Sequence, residues 1–157
     1  MPLRDKLSLG LALLLWTQVG VAQSNLGELL DAGAKRLSAE EFRQEVVQRT
    51  MQGPTPTGGA MEIMYVSNGS VQGSGTPPNA FSAGGPWAQF DGTWTTDADE
   101  RVCASMRIAS GPGGYGSILG TSLPNRCQFW FKLGDRYFFS DSDTDRRARL
   151  LSRTFVK

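Results

Sequence analysis

The chain predicts a mainly β fold, an antiparallel meander barrel or sandwich of about seven or eight strands with an N-terminal amphipathic helix and one disulfide. Three observations predict it. From Ala60 onward, apolar residues recur at every second position in short runs separated by Gly, Pro, Asn and Asp. "MEIMYVSNGSVQGSG" centres one such pair of runs on Asn68-Gly69, a strong short-range hairpin signal. The only two cysteines, Cys103 and Cys127, each sit inside an alternating run.

The elements follow in order. "MPLRDKLSLGLALLLWTQVGVAQS" places Arg4 and Lys6 before an apolar run from Leu7 to Val19, then the small residues Gly20 and Ala22. This is the pattern of a secretory signal peptide, residues 1–22, with cleavage predicted after Ala22. The run falls short of the roughly 20 residues a membrane helix needs, so no membrane span is expected after cleavage. Retention as an anchor is the alternative.

Residues 23–37 read as an N-terminal segment with a short helix at Leu26 to Ala34, and residues 38–157 as a single β-rich domain with a leading helix. "LSAEEF" marks that helix: Ser38 caps the Glu41 amide, Glu41 reaches back to Ser38, and Leu37 staples against Phe42. Phe42, Val46 and Val47 form its apolar stripe, Glu40, Arg43 and Gln44 a solvated face. Gly53 and Pro54 predict its end after three turns.

Beyond the hairpin, Trp87, Phe90 and Trp94 read as strand aromatics. In "RVCASMRIAS", Val102, Ala104, Met106 and Ile108 oppose Cys103, Ser105 and Arg107. In "CQFWFKL", Cys127, Phe129, Phe131 and Leu133 oppose Gln128, Trp130 and Lys132. A Gly134-Asp135 turn leads into "RYFFSD", and "RARLLSRTFVK" supplies a last strand.

The composition excludes more chemistry than the motifs suggest. No histidine occurs, which removes Ser-His-Asp and Cys-His relays and imidazole metal sites. Acidic and basic residues balance once Arg4, Asp5 and Lys6 are set aside, so no nucleic-acid partner is expected. A leader that exports the chain puts the cysteines where disulfides persist, and a Cys103–Cys127 bridge stabilises by roughly 3–4 kcal/mol in the chain-entropy model. "DSDTD", Asp141 to Asp145, lacks the glycine and glutamate of a calcium loop, and Asp97, Asp99 and Glu100 form a second acidic turn. Both read as solvated turns. No metal or cofactor is expected. The Gly-rich loop "SGPGGYGS", Ser110 to Ser117, is the segment best suited to recognition.

Two resemblances complete the reading. The helix start "LSAEEFRQEV" followed by Gly92, Trp94, Cys103, Cys127, Gly134, Asp135 and Tyr137 resembles a group of small secreted β proteins of Gram-negative bacteria without an assigned activity, over Leu37 to about Phe139. Ser110, Gly111 and Tyr115, with Trp130, Lys132 and Gly134, resemble two motifs of periplasmic inhibitors of C-type lysozyme, with one extra residue in each. In that family a loop serine and a basic residue enter the lysozyme cleft, which implies Ser110, Tyr115, Trp130 and Lys132 as binding residues here. The expectation is a secreted or periplasmic, non-enzymatic module that binds an envelope protein or a small apolar ligand, with lysozyme as a possible partner. A carboxylate-dependent hydrolase of cell-wall glycan is the third reading.

Overall fold

A computed structural model describes residues 23–55, 59–76, 88–110, 122 and 125–157. Two short helices, α1 (Leu26–Asp31) and α2 (Ala39–Glu45), accompany nine strands. These are β1 (Lys35–Arg36), β2 (Thr50–Pro54), β3 (Ala60–Tyr65), β4 (Ser70–Gly75), β5 (Ala88–Thr96), β6 (Val102–Ser110), β7 (Arg126–Leu133), β8 (Arg136–Ser140) and β9 (Leu151–Phe155). Strands β2 to β9 each pair antiparallel with the next, and β9 returns to β2, closing an eight-stranded meander barrel. Closure pairs each of the eight barrel strands on both sides, over only part of its length at the β6–β7 and β2–β9 seams.

The alternation read from the sequence sets the barrel's two faces. Val102 and Ile108 of β6, Trp130 of β7, and Tyr137 and Phe139 of β8 turn inward into one apolar cluster with Ala104 and Met106 packed against it. The opposite face of β7 and β8 carries Phe131 and Phe138, which Leu26, Leu29 and Leu150 cover from α1 and the segment before β9. That covering explains why both faces of the β8 strand are apolar. Strand β1 extends the same region by pairing Lys35 with Lys132 and Arg36 with Phe131, so the segment at 23–37 packs onto the barrel.

Helix α2 plugs one end of the barrel. Its capping box forms as the sequence predicts: Ser38 accepts from the Glu41 amide and Glu41 from the Ser38 amide. Phe42, 1% exposed, points inward and packs edge-on against Tyr65, Trp94 and Trp130 at centroid distances of 5.2, 5.5 and 5.0 Å. The helix is shorter than its apolar stripe predicts. It ends at Glu45 with Val46 as C-cap, and Thr50–Pro54 is strand β2, so Gly53 and Pro54 finish a strand and not the helix. Val46, Val47 and Thr50 are weak helix formers. Pairing of Thr50–Pro54 with β3 and burial of Met51 decide in favour of the strand.

The hairpin at Asn68-Gly69 forms with one residue more in its loop than the dipeptide alone implies. The Gly69 amide donates to Val66 O at 3.0 Å, the Val66 amide to Ser70 O at 2.8 Å, and Gly69 has φ 85°. This is the three-residue loop with its last residue in the left-handed region. The Asn68 side chain accepts from the Ser70 amide and hydroxyl, which occupies its oxygen in holding the turn.

Candidate functional site

The side chains with chemical potential fall into four groups, and the first lies beneath α2. Glu45, at the last position of that helix, accepts a hydrogen bond from Lys132 Nζ at 2.6 Å and another from Tyr137 Oη at 2.7 Å, both on the same carboxylate oxygen. The bond from Lys132, then that from Tyr137, hold the Glu45 carboxyl below its ordinary range. The bond to Glu45 raises Lys132, while burial first and the bond to Glu45 second raise Tyr137. A protonated lysine and a phenol that is already donating are poor bases. The cluster is built as a cross-brace between α2, β7 and β8.

Trp130 lies beside it but inside the barrel, 3% exposed, stacked on Phe139 at 5.1 Å and against Phe42 and Tyr65. Its ring packs the core and offers no surface to a partner. Lys132 stays partly exposed, engaged with Glu45. Of the other two residues that the lysozyme-inhibitor resemblance implies, Tyr115 lies outside the described residues. Ser110 is the last residue of β6. Val102, at the start of β6, pairs with Gln128, and Lys132 lies beyond Gln128 on the side away from Ser110. At about 3.3 Å of rise per residue, Ser110 and Lys132 stand at opposite ends of the barrel. The fold does not bring them into one site.

The disulfide forms the second group. Cys103 and Cys127 are direct register partners of β6 and β7 and are bridged, with Cα atoms 3.9 Å apart. Asp97 Oδ2 lies 3.8 Å from Cys103 Sγ. Those sulfurs are bonded to each other, so this grouping of one carboxylate and two cysteines offers no thiolates to a metal.

The third group joins the two acidic turns, which are distant in sequence and meet in space. Arg36 Nη1 pairs with Asp143 at 2.6 Å, Nη2 reaches Glu100 at 4.0 Å, and the guanidinium lies 4.5 Å over the Phe129 ring. Arg101 binds Asp97 at 2.8 Å. Burial pushes the Asp97 carboxyl up, but the bonds from the Arg101 backbone and side chain outweigh it and leave it lowered. These acids are held by arginines, and the turns serve as polar clasps around β1 and β7.

The fourth group was not singled out in the sequence. Arg153 of β9 points into the barrel and is 4% exposed, the one charged residue buried among those described. Nη1 donates to Pro54 O at 2.6 Å and Ser152 O at 2.9 Å, and Nη2 to Met61 Sδ at 3.2 Å. The cation lies 4.8 Å from the centroid of Phe139. Burial lowers Arg153 to about 10 and raises the neighbouring Tyr65 to about 12, each charge opposing the other's shift. Arg153 therefore remains a cation at neutral pH. The signal for it was present: Leu151, Arg153 and Phe155 share one face of an alternating run, which places a charge at an inward position.

Arg153 also borders a groove of about 390 Å³ between β2, β3 and β9, lined by Gln52, Gly53, Pro54, Met61, Glu62 and Arg153 among others. The groove lies where the β2–β9 ladder, Met51 with Phe155 and Gln52 with Thr154, comes to its end. Gly53 lets β9 and the Arg153 side chain pack directly over β2, since a Cβ there would come 2.9 Å from Arg153 Nη1 and closer still to Ser152 O.

The chain matches no protein-family model, no curated protein and no solved structure.

Proposed function

We propose that the chain is an exported, non-enzymatic binding module of the cell envelope that holds its partner on the outside of a filled barrel. The observation that carries this reading is the packing of the interior: Phe42, Tyr65, Trp94, Trp130 and Phe139 occupy the inward positions around the α2 plug. A barrel filled by its own side chains leaves recognition to its outer surface and rim. An apolar ligand inside the barrel is accordingly not part of the proposal.

Compartment enters through the leader, the Cys103–Cys127 bridge and the fact that no helix among the described residues is long and apolar enough to cross a membrane. A disulfide-closed domain suits an oxidising environment. The hydrolase reading gains no support from the carboxylates. Those whose pKa departs from the ordinary value, Glu28, Glu41, Glu45 and Asp97, are all lowered. A glycoside hydrolase needs one carboxyl raised so that it can act as a general acid.

The test is a titration of oxidised residues 23–157, immobilised, with solubilised envelope proteins and separately with C-type lysozyme. Saturable capture of one envelope protein, competed by free domain, is the expected result. Inhibition of lysozyme that is lost in Ser110→Ala but retained in Lys132→Met would assign the contact to the Ser110 end of the barrel. Turnover of cell-wall glycan by the domain would overturn the proposal.

A further inference from the structure

Arg153 combines features that its packing role does not require. A guanidinium carries five N–H donors in a planar fork suited to a carboxylate or phosphate, and burial without a counter-charge is costly. Pro54 O, Ser152 O and Met61 Sδ satisfy donors but do not neutralise the charge, and a thioether is a weak acceptor. Arg153 forms no ion pair among the described residues, in contrast to Arg36, Arg101, Arg107 and Arg146. Residues 56–58, 77–87, 111–121 and 123–124 contain no Asp or Glu, so no internal part of the chain outside the described residues can supply a carboxylate either. Arg153 nevertheless lines the groove between β2, β3 and β9, where the β2–β9 ladder ends.

We infer that Arg153 is the anchor of a binding site for a monoanionic carboxylate with a short apolar stem, entered through the groove between β2 and β9. The fork supplies the charge-assisted contact. Pro54, Ala60 and Met61 supply the apolar wall, and the volume of about 390 Å³ suits a small acid at the lower end of ligand pockets. Glu62 also lines the groove and sets the ligand's charge: a carboxylate there opposes a dianion such as phosphate more strongly than a monoanion. The same chemistry is presented by a free organic acid and by the C-terminal carboxylate of a peptide. The site deepens the binding-module reading and rests on it.

The experiment is an NMR titration of the oxidised mature protein, following the arginine Nε–H signal of Arg153, assigned by its loss in Arg153→Lys. The probes are hexanoate, hexanamide, inorganic phosphate and a capped dipeptide, acetyl-Ala-Leu, as free acid and as amide. Hexanoate is expected to shift the signal saturably and hexanamide to leave it unmoved. Response to the dipeptide acid beyond that to hexanoate would assign a peptide C-terminus, and response to hexanoate alone a small acid. Glu62→Gln leaves the core intact and is expected to lower the half-saturating hexanoate concentration roughly two- to fivefold. Arg153→Met should abolish the response. Should that variant fail to fold, the wild-type and Glu62→Gln titrations still decide. No saturable response to any carboxylate, an equal response to hexanamide, or a stronger one to phosphate would overturn the assignment. Capture of an envelope protein by the same domain would be unaffected by that failure, so the two proposals can fall separately.

Discussion

The carboxylate of Glu45 lies 2.6 Å from Lys132 Nζ, joining the last residue of α2 to a strand far along the chain. An acid at a helix C-terminus opposes the helix dipole, so its position is explained by tertiary partners rather than by the helix. The plug is therefore held by a polar clasp at its rim as well as by Phe42 at its centre.

A double-mutant cycle with Glu45→Gln and Lys132→Met should give a favourable coupling near neutral pH. Glu45 is held below its ordinary value of 4.5, so folding favours its ionised form. Its contribution is full above that value and is lost as pH falls below it. Lys132 and Tyr137 are raised above 10.5 and 10.0, so theirs is full below those values and is lost as pH rises beyond them. Thermal melts from pH 3 to 11 should show the coupling at mid-range and its decline as the pH falls below 4.5. A coupling with no decline anywhere below pH 4.5 while the fold persists, and none on the alkaline side, would show that the contact is packing, not charge.

Phe42→Ala should be the most damaging single change at the plug. The ring meets three aromatic partners and is fully buried, so its removal leaves a cavity that a short helix over a rigid barrel cannot refill. The expected loss is about 3–5 kcal/mol by chemical denaturation, with Phe42→Leu costing distinctly less. Near-ultraviolet circular dichroism should lose the signal of Trp94 and Trp130 in the same variant before the far-ultraviolet spectrum changes.

How far the sequence could be read follows from which forces are local. The Ser38 capping box, the Asn68-Gly69 hairpin and the faces of β6 and β7 depend on neighbours within a few residues, and each appears where the residues imply. The end of α2 differs from the local pattern because Thr50–Pro54 becomes a strand through pairing with β3 and β9, a distant effect. Trp130 and Lys132 were correctly placed on one face of β7. Whether such a face lines the inside depends on barrel closure, which no local pattern encodes. Arg153 is not legible as a site in the sequence, because a single charge in an apolar alternation resembles an interruption.

Reduction of Cys103–Cys127 should lower the melting temperature and open the β6–β7 seam first. These strands pair only between Val102–Ala104 and Arg126–Gln128, with the bridge at the middle pair. The chain-entropy model assigns about 3.5 kcal/mol to a loop of this length. Hydrogen exchange on the Cys103→Ala/Cys127→Ala variant should show faster exchange at residues 126–128 than across the longer β5–β6 ladder. Uniform acceleration would mean that the bridge acts on the unfolded chain alone.

Gly69→Ala tests whether the first hairpin is held by its turn or by its strands. Gly69 has φ 85°, a region where a Cβ crowds the backbone, while its Cβ would find ordinary space, 3.5 Å from Trp94 O. Strain, not collision, is therefore the expected cost, about 1 kcal/mol for alanine and less for asparagine, which tolerates the left-handed region. The Trp94 amide donates to Gly69 O at 2.8 Å, and its indole to Val66 O at 2.8 Å, so the turn is also tied to the aromatic core. If the order of stability is glycine, asparagine, alanine in urea melts, backbone conformation sets the cost. A Gly69→Asn loss equal to that of Gly69→Ala would instead assign it to the contacts with Trp94.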